Sequence, residues 1–209
     1  TLDGASEGLK FYLLPDFKKK VSARTGKQPS ELILLRTGER IPFDYNDGFV
    51  FPGAVEQGII AEIKPNKSRK VCAYSIDMKD YVEFSLDDEQ GPSATHFRFV
   101  YGVCREMMKL GVPVEGFNTA FAGDVPLGAG MSSSAALEST FAFALNDLFG
   151  GNKIDKFTLA KVGQATEHNY IGTNCGIMDQ FAIAMGKKDH AIFLDTATME
   201  FEYAPIQLE

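Results

Sequence analysis

Tryptophan is missing from this 209-residue sequence, and cysteine and histidine occur only three times each. Cys72, Cys104 and Cys175 are scattered and odd in number, with no Cys-x-x-Cys spacing. Neither a disulfide framework nor a structural zinc site is therefore expected. Two of the three cysteines sit in apolar surroundings and are expected as small core residues. His96 and His190 have no Cys or carboxylate at zinc-ligand spacing. No apolar run approaches the ~20 residues that span a bilayer. Thr1, Leu2, Asp3 and Gly4 carry none of the basic, hydrophobic and cleavage regions of a signal peptide. A reduced, cytoplasmic protein without a membrane partner is expected. Positive charge is also in deficit, with 21 Lys and Arg against 28 Asp and Glu and a net charge of −7. That balance argues against nucleic acid or an acidic membrane surface as the main partner. It does not exclude a phosphate-bearing ligand, which backbone amides and Mg²⁺ can hold without net positive charge.

What is present is 44% hydrophobic residues, enough for one large domain or two small ones. No repeat, low-complexity tract or linker stands out. Residues 11–21 form an amphipathic piece, followed by a turn-rich stretch at 25–29. Residues 49–63 alternate apolar residues with glycines and read as strands joined by turns at Gly48 and at Pro52 with Gly53. Residues 71–76 and 81–84, rich in β-branched and aromatic side chains, predict two more strands. From His96 the period changes. Phe97, Val100, Tyr101, Cys104, Met107 and Met108 fall at three-and-four spacing, and Gly111 follows as the residue just past a helix end. Residues 116–122 predict a strand. Leu137, Phe141, Leu145 and Leu148 stripe a second helix that stops near Gly150 and Gly151. Asp155 is expected to cap a third helix running to His168 or Asn169, with Leu159, Val162 and Thr166 on one face. Ala191, Ile192, Phe193 and Leu194 predict a buried strand. Strands first, then helices with interspersed strands, favour an α+β architecture over a regular βαβ repeat.

The most informative segment, residues 123–138, lies between a predicted strand and a predicted helix. Gly128 and Gly130 permit close backbone approach to a ligand. Ser132, Ser133 and Ser134 fall at the helix entrance, where free N–H groups and the helix dipole favour an anion. Hydroxyls there can cap the helix, bind phosphate oxygens or reach a Mg²⁺. This is not a Walker A loop, because no Lys follows the second glycine. A second constellation holds Glu167 and His168, then Cys175, Gly176, Ile177, Met178, Asp179, Gln180 and Phe181. Two carboxylates such as Glu167 and Asp179 can divide labour around a triphosphate. One would hold Mg²⁺, a hard cation that prefers carboxylate oxygen, and the other would accept the proton of an attacking hydroxyl. A helix end, a turn and a solvated carboxylate pair is the plainer interpretation of the same residues, and His168 reads as a packing or hydrogen-bonding residue.

The string Pro-Leu-Gly-x-Gly-x-Ser-Ser-Ser-Ala-Ala-Leu-Glu over 126–138 resembles the nucleotide loop of the GHMP small-molecule kinases, and its triple serine is similar to the galactokinase form. Cys-Gly-Ile-Met-Asp-Gln-Phe over 175–181, with Glu-His upstream, is similar to the galactokinase catalytic loop. The resemblance implies nucleotide contacts from Pro126, Gly128, Ala129, Gly130, Met131, Ser132, Ser133 and Ser134. It implies Mg²⁺ held by Ser134 and Glu167, Asp179 as the base near the sugar 1-hydroxyl, and Gly176 against the sugar. Asp44 and Tyr45 match the end of the family's sugar-binding signature and would contact sugar hydroxyls.

Taken whole, the resemblance implies the α+β N-terminal domain of GHMP kinases over 1–209, a mixed sheet with helices packed on one side. The family's C-terminal domain would lie outside the chain. ATP and galactose are the implied partners, in a monomer that makes galactose 1-phosphate. Two stretches depart from the pattern. Counting back from Asp44, Ile41, Pro42 and Phe43 stand where Glu, His and Thr are expected; with two residues inserted, Gly38 and Glu39 would be the family's Gly-Glu and Arg40 would stand in place of His. Thr196, Ala197 and Thr198 stand where the family continues Cys-Arg-Ser. These departures leave open a kinase for a related sugar such as N-acetylgalactosamine or arabinose, or a non-catalytic sensor that binds galactose and ATP.

Overall fold

Alternation along Lys70–Ser75 sets the layout of the molecule. In this strand, β3, Val71, Ala73 and Ser75 are buried while Lys70 and Tyr74 face outward, so one side of the sheet must be covered. A computed structural model describes residues 48–125 and 130–206. The expectations for 11–21 and 25–29, for Asp44 and Tyr45, and for Pro126, Gly128 and Ala129 lie outside the described residues.

The described strands form two sheets. A four-stranded sheet runs in the order β2 (Ile59–Pro65), β5 (Phe117–Gly123), β3, β4 (Asp80–Ser85). It is mixed: β2 with β5 and β3 with β4 are antiparallel, whereas β3 and β5 are parallel. A parallel pair cannot be joined by a tight turn. The chain between them passes through β4 and α1 (Thr95–Lys109).

The second sheet is antiparallel, in the order β1 (Phe49–Val50), β6 (His190–Asp195), β7 (Phe201–Pro205). The expected strands within 49–63 are thus not a hairpin. β1 pairs with β6, Gly53 bridges to Ala191, and β2 goes to the other sheet. β7 carries no apolar alternation strong enough to announce it.

Helices cover one face of the mixed sheet. α1 buries Phe97, Val100, Tyr101, Cys104 and Met107, the residues of the predicted stripe, and Gly111 follows at φ 84°. α2 (Ser133–Leu148) buries Leu137, Phe141 and Leu145. Phe141 packs edge-on against Phe121, with ring centroids 5.6 Å apart, and lies beside Phe117 at 6.3 Å. Each fully buried phenylalanine contributes about 1.5–3 kcal/mol of transfer free energy. The outward face keeps Ile60, Tyr74 and Tyr81 exposed. Among the described residues no helix is long and apolar enough to cross a membrane.

α3 (Lys156–Thr166) begins at the expected cap, where Asp155 accepts from the Thr158 amide at 3.0 Å. It does not end at His168 or Asn169: the chain continues as a π-helical turn, Glu167–Ile171, which stops at Gly172 with φ 84°. A further helix, α4 (Met178–Met185), follows. Beneath it lies a second core of Val50, Ile177, Phe181, Ile192 and Leu194. Cys104 is buried, but Cys72 and Cys175 are only half-buried. One cysteine, not two, is a core residue, because Cys72 sits on the outward row of β3 beside Glu83.

Candidate active site

The site is assembled where α2 and α4 begin. Gly130 has φ 73°, and Ser132 immediately precedes α2 in the left-handed region, φ 58° and ψ 49°. A serine that caps its own helix needs extended backbone to reach the amides of the first turn. Left-handed geometry denies Ser132 that role, and its hydroxyl donates to Asp179 Oδ2 instead. Of the three fates open to a serine hydroxyl at this entrance, capping is thus excluded for Ser132. Ser133 and Ser134 open the helix, half-buried, with no hydroxyl hydrogen bond among the described residues. Asp179 lies in the first turn of α4, where the helix dipole favours a carboxylate.

Glu167 begins the π-helical turn, a feature that recurs at functional positions. Its backbone oxygen receives the amides of Gly172 and Thr173 at 2.9 and 3.1 Å. Its side chain is only 7% exposed, yet its carboxylate makes no hydrogen bond among the described residues. The loop beyond is pinned from below: His168 Nε2 and Gln164 Nε2 both donate to the Cys175 carbonyl, at 2.8 and 3.2 Å. His168 is therefore the hydrogen-bonding residue that was expected. Gly176 is buried just ahead of α4.

Glu138, to which sequence reasoning gave no role, completes the cluster together with Cys175. Glu138, in the second turn of α2, is fully buried and accepts from Gln180 Nε2 at 3.1 Å. Burial pushes its carboxyl up to about 9, and the charges of Glu167 and Asp179 push in the same direction. Cys175 is pushed up to about 12, first by burial and then by the charges of Glu167 and Glu138. These mutual influences place Glu138, Glu167, Cys175 and Asp179 in one neighbourhood. Fully buried Glu is rare unless paired, so no local signal marked Glu138.

The strand leading into the serine segment is braced from two sides. The Gly123 amide donates to Asp77 Oδ2, and Asp124 Oδ1 accepts from the Gly58 amide, both at 2.8 Å. Thr140 Oγ1 ties α2 to the Ile59 carbonyl of β2 at 3.2 Å. A cleft of about 710 Å³ bordered by Gly53, Glu56, Gly186, Lys187 and His190 contains none of the cluster residues.

Mg²⁺ fits the donor chemistry. Ser134 and Glu167 offer hydroxyl and carboxylate oxygens, the hard donors that Mg²⁺ prefers. Among the described residues no group of three or more His, Cys, Asp or Glu is placed to hold a metal ion. A two-donor protein site is usual for Mg²⁺ when phosphates and water supply the remaining ligands.

Residues 98–187 match the family model of the GHMP kinases N terminal domain. The chain is 41% identical over 188 residues to a galactokinase of Clostridium tetani (strain Massachusetts / E88), covering 90% of this chain and 47% of that protein. It is 41% identical over 166 residues to a galactokinase of Thermosipho africanus (strain TCF52B), covering 79% and 46%. The chain thus spans about half the length of the curated relatives it matches. Its fold is similar to the crystal structure of Lactococcus lactis galactokinase complexed with galactose. That match has a TM-score of 0.73 at 34% identity and covers 80% of this chain and 44% of that one. Methanococcus jannaschii mevalonate kinase shares the fold at a TM-score of 0.63 and 16% identity, over 79% of this chain and 51% of that one.

Proposed function

We propose that this chain carries the N-terminal domain of a GHMP kinase, the family whose model matches residues 98–187, and takes part in ATP-dependent phosphorylation of galactose to galactose 1-phosphate. The observation that carries the reading is the hydrogen bond between Ser132, at the entrance of α2, and Asp179, in the first turn of α4. It joins an anion-favouring helix start to a carboxylate positioned to accept a proton.

In this reading the backbone of 126–131, with Pro126, Gly128, Ala129, Gly130 and Met131, lies along the nucleotide, and the amides of Ser132, Ser133 and Ser134 face its phosphates. Ser134 and Glu167 hold Mg²⁺, which when bound neutralises charge on the β- and γ-phosphates. Asp179 accepts the proton of the sugar 1-hydroxyl, while Gly176, Asp44 and Tyr45 lie against the sugar. The Ser132 hydroxyl bond keeps one oxygen of Asp179 occupied, which directs the other toward the substrate hydroxyl. Most of the rate enhancement then comes from orientation and charge neutralisation. We assign residues 1–209 to one galactokinase-like N-terminal domain of a monomeric, cytoplasmic enzyme. Three cysteines, scattered and odd in number, support the reducing compartment. A related sugar such as N-acetylgalactosamine or arabinose is the nearest alternative substrate, distinguished by kinetics over a panel of sugars.

A non-catalytic sensor of galactose and ATP is favoured by one observation. At 196–198, where an Arg is expected, Thr196 Oγ1 donates to the Gly48 carbonyl at 2.7 Å and the Ala197 amide donates to Asp195 Oδ1 at 3.0 Å. The turn is filled by its own hydrogen bonds, with no cation from that position.

ADP release from Mg-ATP by the purified protein, with and without galactose, separates these readings. The expected outcome is galactose-dependent release that Asp179→Asn abolishes while nucleotide affinity stays within about twofold. Binding of both ligands without release favours the sensor. A large loss of nucleotide affinity in Asp179→Asn removes the assignment of Asp179 as base.

A further inference from the structure

Glu138 is a fully buried acid that the proposed reaction does not use. Three elements close around it. Gln180 of α4 donates through Nε2 to its Oε2 at 3.1 Å. Gly163 of α3 leaves the space open: a Cβ there would lie 2.8 Å from Gln180 Cγ and 3.1 Å from Glu138 Oε2. Glu167 and Asp179 act on it electrostatically from the π-helical turn and from α4, and Glu138 in turn acts on Cys175 in the loop between them. Two atoms of the pair, Glu138 Oε1 and Gln180 Oε1, are buried without a hydrogen-bond partner.

Two acceptor oxygens facing unpaired into a protein interior cost the full desolvation of each. A single proton on Glu138 Oε1 resolves both. The carboxyl becomes a donor as well as an acceptor, and the Gln180 carbonyl oxygen is the neighbouring acceptor without a partner. Acid and amide then exchange two hydrogen bonds, Nε2–H to Oε2 and O–H to Oε1, in a closed ring. We propose that Glu138, as a neutral acid, and Gln180 form this closed acid–amide pair, and that the pair is a positioning device for Asp179, the residue preceding Gln180. The claim that Asp179 is the base rests on the kinase reading above; the pair itself does not. The upward displacement of the Glu138 carboxyl to about 9 agrees with the neutral form. Neutrality also keeps a third negative charge away from the place where Glu167, Asp179 and a triphosphate would meet.

The test compares Glu138→Gln with Glu138→Leu in the purified protein. Gln preserves both hydrogen bonds, since its amide donates to the Gln180 carbonyl and its own carbonyl accepts from Nε2. Leu fills the space but leaves Gln180 Oε1 without a partner and Nε2 with Cys175 Sγ alone, at 4.0 Å. Glu138→Gln is expected to keep most of kcat. Glu138→Leu is expected to lose roughly 10- to 100-fold in kcat, the scale of a misplaced reacting group, with KM for ATP changed less than twofold. Equal kcat in wild type and Glu138→Leu, or equal losses in Leu and Gln, overturns the positioning role.

Infrared spectroscopy at pH 7 reads the pair without any activity. A protonated-carboxyl band present in wild type and missing from Glu138→Gln is expected, and its absence from wild type overturns the pair. Amide exchange over Met178–Met185 is expected to be faster in Glu138→Leu and unchanged in Glu138→Gln. A wild type that shows the band and this exchange pattern but releases no ADP refutes the kinase reading and leaves the pair standing.

Discussion

Ser132 is held in a left-handed conformation that costs a non-glycine residue on the order of 1–3 kcal/mol. Its hydroxyl is spent on Asp179 rather than on its own helix. Glu138 sits nearby as an acid whose burial raises its carboxyl to about 9, against about 4.3 for Glu in an unfolded chain. Between those two values the unfolded chain releases a proton that the folded protein retains, so stability falls as pH rises across the window. Glu138→Gln removes this linkage. The variant is expected to match wild type near pH 4 and to exceed its stability by an amount on the order of 3 kcal/mol at pH 7. Urea denaturation at the two pH values measures the difference. A gain that is the same at both would show that Glu138 is not held neutral. A residue that lowers stability at neutral pH and is nonetheless built into the start of α2 is consistent with a positioning role.

Between elements, α1 crosses α3 and the π-helical turn at close range. A Cβ on Gly102 would lie 2.6 Å from Thr166 Cγ2 and 2.9 Å from Tyr170 Cδ2. Gly102→Ala must push the helices apart or turn the Tyr170 ring, which itself packs edge-on to Tyr101 at 5.7 Å. A loss of about 1–3 kcal/mol is expected, visible as a lowered Tm, with Glu167 displaced along with the turn. Most elements around this crossing were legible from sequence. The stripe from Phe97 to Met107, the alternation of Val71 and Ala73, and Asp155 as a cap each encode structure within a few neighbouring residues. α4 was not legible, because its N-cap position is Ile177, a poor capping residue that follows a glycine-rich loop. The π-helical turn was equally hidden, since Glu167–Ile171 reads as ordinary helix. Strand partners were beyond reach for a different reason. Whether Phe49 pairs forward with Ile59 or across the chain with Asp195 depends on contacts far apart in sequence. The same holds for the site. Ser132, Glu167 and Asp179 were singled out in the sequence, but the Ser132–Asp179 bond and the Glu138–Gln180 pair span 47 and 42 positions.

Across the whole molecule, Cys104 reports on integrity. It is fully buried among the residues of α1 and the mixed sheet, and its thiol is raised far above the ordinary range by burial. Thiolate is the reactive form, so Cys104 should resist alkylation in the native protein and label at the rate of global opening. Mass spectrometry of the labelled peptide over a urea series checks this, and fast labelling without urea would show that the core is not closed there. The strand order has a consequence for synthesis. β2 leaves the ribosome early, but its partner β5 is completed about 58 residues later. At 5–20 residues per second, Ile59–Pro65 waits roughly 3–12 s with both edges unpaired. During that interval the nascent chain is most exposed to mispairing with its neighbours on a polysome, and slowing translation between β4 and β5 would lengthen it.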